Sequence, residues 1–192
     1  MTSLLSIPRL IVCVTGMPGS GKSTAADIAV KMGFSIINMG DIVRDESMKR
    51  KSSLSSDDVS DMMMTLRKEL GQGAIATLSL PKITSTTNDF ILVDGVRSCV
   101  EIEVFKTLGR VKILSVSTPD SIRFSFLIGR GRQDLPLSTN DFDRRDSNER
   151  NIGVGDVMRI ADVTISNVNI SIEQLSEKIS SVLREWIDEV SN

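Results

Sequence analysis

The chain has no histidine and no tyrosine. Those two absences exclude Ser-His-Asp and Cys-His catalysis, imidazole-ligated metals and phenolic general acids, because each lacks its central group. Cysteine is scarce too. Cys13 and Cys99 are the only two, far apart and outside any CxxC pattern, so no zinc site is expected. Each reads as a free thiol among apolar neighbours, which suits a reducing cytoplasm. No stretch approaches the ~20 consecutive apolar residues of a membrane helix. The apolar run Leu10–Val14 follows Arg9 with no basic leader before it, and reads as a strand and not as a signal peptide. An excess of one charge is also missing. Lys plus Arg is 23 against 25 for Asp plus Glu, a net charge of −2, which argues against general nucleic-acid or anionic-membrane binding. Chemistry must therefore rest on carboxylates, Lys, Arg, hydroxyls, backbone dipoles and a hydrated metal ion.

What is present describes an ordinary globular domain. The chain has 192 residues, 40% apolar and 25% charged, so a single domain over 1–192 is expected. A chain of this size buries about 70% of its unfolded surface and needs no disulfide or metal staple.

Short β-branched runs alternate with amphipathic stretches, the pattern of a parallel sheet covered by helices. Strands are expected at Leu10–Thr15, Ser35–Met39, Phe90–Val93, Val111–Val116 and Val163–Ser166. Phe90-Ile91-Leu92-Val93 is apolar at every position, as in strands covered on both faces. Helices are expected from Lys22 to Gly33, from Ser56 to Gly71, from the Ser98/Glu101 capping box to Gly109, from Thr118-Pro119-Asp120 through Ile122–Gly131, and after Ser171/Gln174. The Met62-Met63-Met64 run and Trp186 read as core packing. The fold class is α/β: a three-layer sandwich around a five-stranded parallel sheet with the first strand central. A helical acceptor-side insert is expected at about 40–85, and a short, apolar-poor lid at about 131–150. Gly153-Val154-Gly155 has no strand before it and reads as a turn or hinge.

Directly after the first strand stands Gly16-Met17-Pro18-Gly19-Ser20-Gly21-Lys22-Ser23-Thr24, a match to G-x-x-x-x-G-K-[ST] between a strand and a helix. Glycines allow backbone N–H groups to turn inward and approach phosphate oxygens, and the following helix directs its positive end at the same anion. Lys22 then reaches the β- and γ-phosphates of ATP, and Ser23 offers its hydroxyl to Mg²⁺.

The Asp-x-x-Gly and Asn-Lys-x-Asp patterns of a GTPase switch are absent, and 192 residues are few for a motor ATPase, which leaves a small kinase. Gly16–Thr24, Asn38–Arg44, Asp94-Gly95-Val96-Arg97 and the Arg-rich stretch from Arg123 to Arg145 resemble, in order and spacing, the adenylate-kinase-type nucleoside monophosphate kinases. Over essentially its whole length the chain resembles an archaeal family described as adenylate-kinase-related or dephospho-CoA-kinase-like. The segments that carry this likeness are Met39–Asp41, Leu66–Glu69, Asp94–Ser98, Arg130–Arg132 and Ala161–Asn167.

The resemblance implies roles for particular residues. Asp94, at the carboxyl edge of a strand, would hold Mg²⁺ through water; it could also simply cap the helix that follows. Arg44 and Arg97 would grip an acceptor phosphate, a bidentate task suited to guanidinium groups. Asp41 would serve as a base if the acceptor were a ribose hydroxyl, as in dephospho-CoA, while an already ionised monophosphate needs none; alternatively Asp41 caps its helix. Among the arginines of the lid region, Arg130, Arg132 and Arg145 are expected at the transferred phosphoryl group, against the alternative of a solvated basic face. Asn167 falls where relatives place an adenine-contacting loop, or is a turn residue. The expected activity is transfer from ATP to a nucleoside monophosphate, AMP in first place. Dephospho-CoA kinase is the first alternative and a non-catalytic ATP-binding module the second. Expected partners are nucleotide substrates, the protein being a monomer or small homo-oligomer.

Overall fold

The computed structural model describes residues 9–50, 56–128 and 138–191. Five strands form one parallel sheet: β1 (Leu10–Thr15), β2 (Ser35–Asn38), β3 (Phe90–Asp94), β4 (Arg110–Ser117) and β5 (Val163–Ser166). Their order is β2-β3-β1-β4-β5, with β1 at the centre. Leu10 pairs in register with Phe90 on one side and Arg110 on the other.

The pleat divides β1 between two cores. Leu10, Val12 and Val14 pack toward α1 (Lys22–Lys31) and α9 (Ile172–Ser191), meeting Ala25, Ala29, Leu175, Ile179, Leu183 and Trp186. Ile11 and Cys13 face the opposite core. There they meet α2 (Met39–Arg50), α3 (Ser56–Leu70), α4 (Ala74–Ser85), α5 (Cys99–Lys106) and α8 (Val154–Arg159) through Met39, Leu66, Ile75, Phe105 and Val157. All six residues of β1 are buried, which is why the strand reads as unbroken apolar sequence. The result is the expected three-layer α/β/α sandwich.

Local signals explain most element ends. The Ser98/Glu101 capping box is made in both directions and opens α5. Ser171 and Gln174 make the reciprocal pair ahead of α9. Gly153, at φ +116°, ends α7 (Thr139–Ile152) and starts α8, so the turn between the two helices is Gly153 alone, and Val154 and Gly155, anticipated as part of a turn or hinge, already belong to α8. The strand β2 stops one residue short of Met39 because the Asn38 side chain accepts a hydrogen bond from the Asp41 N–H at 3.2 Å and opens α2. That cap belongs to Asn38, which corrects the alternative placed on Asp41. The segment anticipated as a helical insert holds α2, α3 and α4, the last continuing through Pro81. Helix α6 is described over Asp120–Ile128, and 129–137, which include the anticipated helix end at Gly131 and the start of the anticipated lid, lie outside the described residues. The remainder, 138–150, is mostly α7, whose Phe142, Asp146, Glu149 and Ile152 share a buried face. Met62 and Met63 are buried as expected, and Met64 is exposed. Among the described residues no helix is long and apolar enough to cross a membrane.

Candidate functional site

The carboxyl ends of β1 and β3 open onto one cleft, the position where open α/β sheets bind ligands. After β1 the chain turns through Gly16–Gly21 into α1. Gly16 has φ +141°, and a Cβ there would collide with the Val116 carbonyl; at Gly21, φ +108°, it would come within 2.8 Å of the Asn167 amide nitrogen. No other residue fits either position without moving β4 or the loop after β5.

Side chains distant in sequence tie this loop from behind. Ser20 O accepts from Thr118 Oγ1 at 2.9 Å and from Asn167 Nδ2 at 3.0 Å, and Pro18 O accepts from Arg123 Nη1 at 2.8 Å. These bonds fix the loop from behind, and Gly21, Lys22 and Ser23 at the head of α1 line the cleft, where the positive end of the helix suits an anion. Lys22 folds over the loop, donating to Gly16 O at 2.7 Å and Met17 O at 3.0 Å. Burial pushes its ammonium down to about 8, against the pull of Asp94 and Glu149. A triphosphate entering here would meet a lysine whose charge lacks sufficient solvation and gains from anionic partners.

The cleft wall is made by Gly16, Gly19, Gly21, Lys22 and Ser23 on one side and by Asn38, Gly40, Arg44, Asp94, Arg97, Arg145 and Glu149 on the other. Asp94 ends β3 with its Oδ2 accepting from Asn38 Nδ2 at 3.3 Å. Its Oδ1 is buried and has no hydrogen-bond partner among the described residues. An orphaned buried carboxylate oxygen in the same cleft as the Ser23 hydroxyl is a good fit for one hydrated Mg²⁺. Among the described residues no cluster of three acidic or thiol side chains forms a metal cage of its own. Such a cage is not needed for Mg²⁺, which takes one or two carboxylates and completes its shell with water and phosphate.

The anticipated residues divide into those that meet and those that do not. Lys22, Ser23, Arg44, Asp94, Arg97 and Arg145 share the cleft with Gly16, Gly19 and Gly21. Ser20 is fully buried beneath the loop, and Thr24 continues α1. Asp41 does not line the cleft: its carboxylate is exposed and ion-paired with Arg44. Asn167 spends its amide on Ser20 O, so in this structure it supports the loop instead of presenting its amide to a base. Arg130 and Arg132 lie outside the described residues. Arg144 is an exposed neighbour of Asp141. Arg123 is fully buried: it stacks on the Phe142 ring and forms ion pairs with Asp120 and Asp146. It is a pin between α6, α7 and the phosphate loop.

Three participants escape a reading of the sequence. Asn38 joins the α2 cap to Asp94, Asp146 answers Arg123, and Glu149 answers Arg97 through a 2.6 Å ion pair. A signal for the last two does exist. Asp146 and Glu149 fall at helical spacing between Phe142 and Ile152, so two acids sit on the face that the apolar residues bury.

A model of the family described as an AAA domain matches residues 15–139, from the end of β1 through the described start of α7. The chain is 38% identical to a UPF0200 protein of Thermococcus gammatolerans, over 93% of this chain and 96% of that one. It is also 38% identical to a UPF0200 protein of Thermococcus kodakarensis (94% and 100%), and 37% identical to one of Hyperthermus butylicus (91% and 94%). Among solved structures, TT1252 from Thermus thermophilus superposes with a TM-score of 0.63 at 18% identity, covering 93% of this chain and 98% of that one. Shikimate kinase from Acinetobacter baumannii, solved in complex with shikimate, gives 0.59 at 17%, covering 93% and 94%. These two likenesses establish the phosphate-loop kinase fold and do not specify a substrate. With a match to AAA domains over most of its length and relatives alike from end to end, the chain belongs to the UPF0200 family.

Proposed function

We propose that this protein is an ATP-dependent kinase that transfers the γ-phosphoryl group of ATP to a nucleoside monophosphate, AMP in first place. The observation that carries the reading is one cleft holding Lys22, Ser23 and Asp94 at the phosphate loop together with two further guanidinium groups, Arg44 and Arg97. A donor triphosphate accounts for the first three. The two arginines suit a second phosphate group, that of the acceptor.

In this arrangement Lys22 and the amides at the head of α1 bind the β- and γ-phosphates. Ser23 and Asp94 would hold Mg²⁺, which would offset the charge of the phosphates. Arg44 and Arg97 hold the acceptor phosphate so that one of its oxygens attacks the γ-phosphorus in line. The bond to the β–γ bridging oxygen breaks, and the products are ADP and the nucleoside diphosphate. The acceptor oxygen is already ionised and no general base is required. Arg145, which also lines the cleft, supports the charge that develops on the transferred group, and Arg130 and Arg132 are assigned the same task from the sequence.

Asp41 bears on the choice of acceptor. A hydroxyl acceptor such as the ribose of dephospho-CoA benefits from a carboxylate at the point of attack, and Asp41 instead lies outside the cleft, paired with Arg44. That placement favours the monophosphate. The test is to incubate the protein with ATP, Mg²⁺ and a panel of acceptors, and to quantify ADP beside each phosphorylated product. Diphosphate formation from AMP supports the reading. Formation of CoA from dephospho-CoA transfers it to the hydroxyl class. If no acceptor raises ADP formation above slow hydrolysis, the kinase reading fails and a nucleotide-binding module remains.

A further inference from the structure

We infer that Glu149 is a positioning residue for the acceptor phosphate, acting through Arg97. This rests on the reading of Arg97 as a phosphate-binding group. Arg97 is held at three points. Its Nε donates to Glu149 Oε2 at 2.6 Å, its Nη1 donates to Gly95 O at 2.8 Å, and its backbone N–H donates to Glu101 Oε2 at 2.8 Å. Glu101 is itself anchored by Arg67, whose Nη2 donates to Oε1 at 2.5 Å. A chain of contacts therefore runs Arg67–Glu101–Arg97–Glu149, from α3 through α5 and the loop after β3 to α7, with Arg67, Glu101 and Glu149 buried, Arg97 half-buried, and the Glu101–Arg97 link made by the Arg97 backbone N–H.

A guanidinium carries five N–H bonds. Glu149 takes the one on Nε and Gly95 takes one on Nη1. The Nη2 pair has no acceptor among the described residues, and Arg97 lines the cleft with Arg44 and Lys22. Glu149 thus engages the edge nearest the side-chain stem and leaves the outer end of the fork for a bidentate anion. It fixes the orientation of the fork and does not compete for the acceptor's edge. The Glu149 carboxylate is 94% buried, since its side-chain exposure is only 6%. Burial works against its charge, but Arg97 and then Lys22 and Arg145 outweigh that and hold it below the usual carboxylate range, so it is ionised at neutral pH. A long side chain fixed in one rotamer by a buried partner presents its remaining donors with little further loss of conformational freedom.

The test is a double-mutant cycle between Glu149→Ala and Arg97→Lys, read as the KM for AMP, the KM for ATP and kcat. Arg97→Lys keeps the positive charge and removes the Nε hydrogen that Glu149 receives. In the wild-type background, Glu149→Ala is expected to raise the KM for AMP about tenfold, more than it raises that for ATP. Glu149→Gln, which retains an acceptor oxygen, is expected to restore part of that loss and serves as the comparison if the alanine variant does not fold. In the Arg97→Lys background the effect of removing Glu149 should vanish. Undiminished loss in that background overturns the inference, as does an unchanged KM for AMP. A lowered KM for AMP also overturns it and would make Glu149 a competitor of the acceptor. A wild type that neither binds nor phosphorylates AMP overturns the acceptor reading itself, a pattern distinct from an active wild type indifferent to Glu149.

Discussion

The two sides of the cleft are built by different means. The side proposed for the donor is mainly one contiguous stretch, Gly16 to Thr24, which offers backbone amides and the side chains of two adjacent residues, with Asp94 added from the end of β3. The side proposed for the acceptor is assembled from α2, the loop after β3 and α7, and its guanidinium groups are held by Asp41 and Glu149. The difference is physical. Backbone amides at a helix start are oriented by the helix itself. A long cationic side chain has to be aimed by partners, and those partners are scattered along the sequence. The donor side is therefore most sensitive at its own few residues and less so at the side chains that tie the loop from behind, while the acceptor side can fail mainly through residues that never touch a substrate.

The largest effect is expected on the donor side. Lys22→Ala should lower turnover by at least about a thousand-fold, because the missing charge sits on the transferred group. Near-wild-type turnover in that variant would remove the donor assignment.

Next is Asp146→Asn, remote from the reacting atoms. It leaves Arg123 buried with one ionised partner fewer and should cost about 3–5 kcal/mol of stability, seen as a lower urea midpoint at unchanged slope. Because Arg123 also holds Pro18 O, nucleotide binding should weaken along with it. A variant as stable as the wild type would show that the pin contributes little.

A moderate effect is expected from pH. Burial lowers Lys22 to about 8, from an ordinary 10.5. Below about pH 8 folded and unfolded chains both carry the proton, and the cost of the buried charge is fully present. Between about 8 and 10.5 the unfolded chain binds more protons, so the stability of the free protein from this group rises with pH. Nucleotide favours the ammonium and reverses the sense: ATP affinity should fall as pH rises above about 8, with proton uptake on binding. Titration calorimetry at pH 8.5 in two buffers of different ionisation enthalpy measures that uptake, and a difference of zero between them would contradict it.

The smallest effect is expected at Asp41. Asp41→Asn should change AMP turnover by less than about threefold, as for an exposed ion pair. A collapse of activity would move Asp41 into the chemistry and favour a hydroxyl acceptor.

The same contrast decides what could be read from the sequence. The sheet was legible because β1, β3 and β4 are covered on both faces and β-branched, and the phosphate loop because its glycines and Lys22 are consecutive. The glycine at 153 and the capping pairs at 98/101 and 171/174 mark helix ends for the same local reason. Arg44, Asp94 and Arg97 could be proposed because the segments that carry them near strand ends resemble those of nucleoside monophosphate kinases. What was not legible depends on folding. Nothing within a few residues of Arg123 shows that it is buried against Asp146, 23 positions on, and nothing beside Arg97 points to Glu149, 52 positions on. Asn167 illustrates the limit from the other direction: its position after the last strand suggested a ligand contact, while the fold applies its amide to Ser20 O.

In the proposed reaction Arg97 and Arg44 act on the acceptor and the phosphate loop on the donor. The most direct test is steady-state kinetics of Arg97→Ala and Arg44→Ala with ATP and AMP varied in turn. Each variant is expected to raise the KM for AMP by about ten- to a hundredfold while the KM for ATP stays within about threefold. Equal increases in both constants, or an increase confined to ATP, would contradict it.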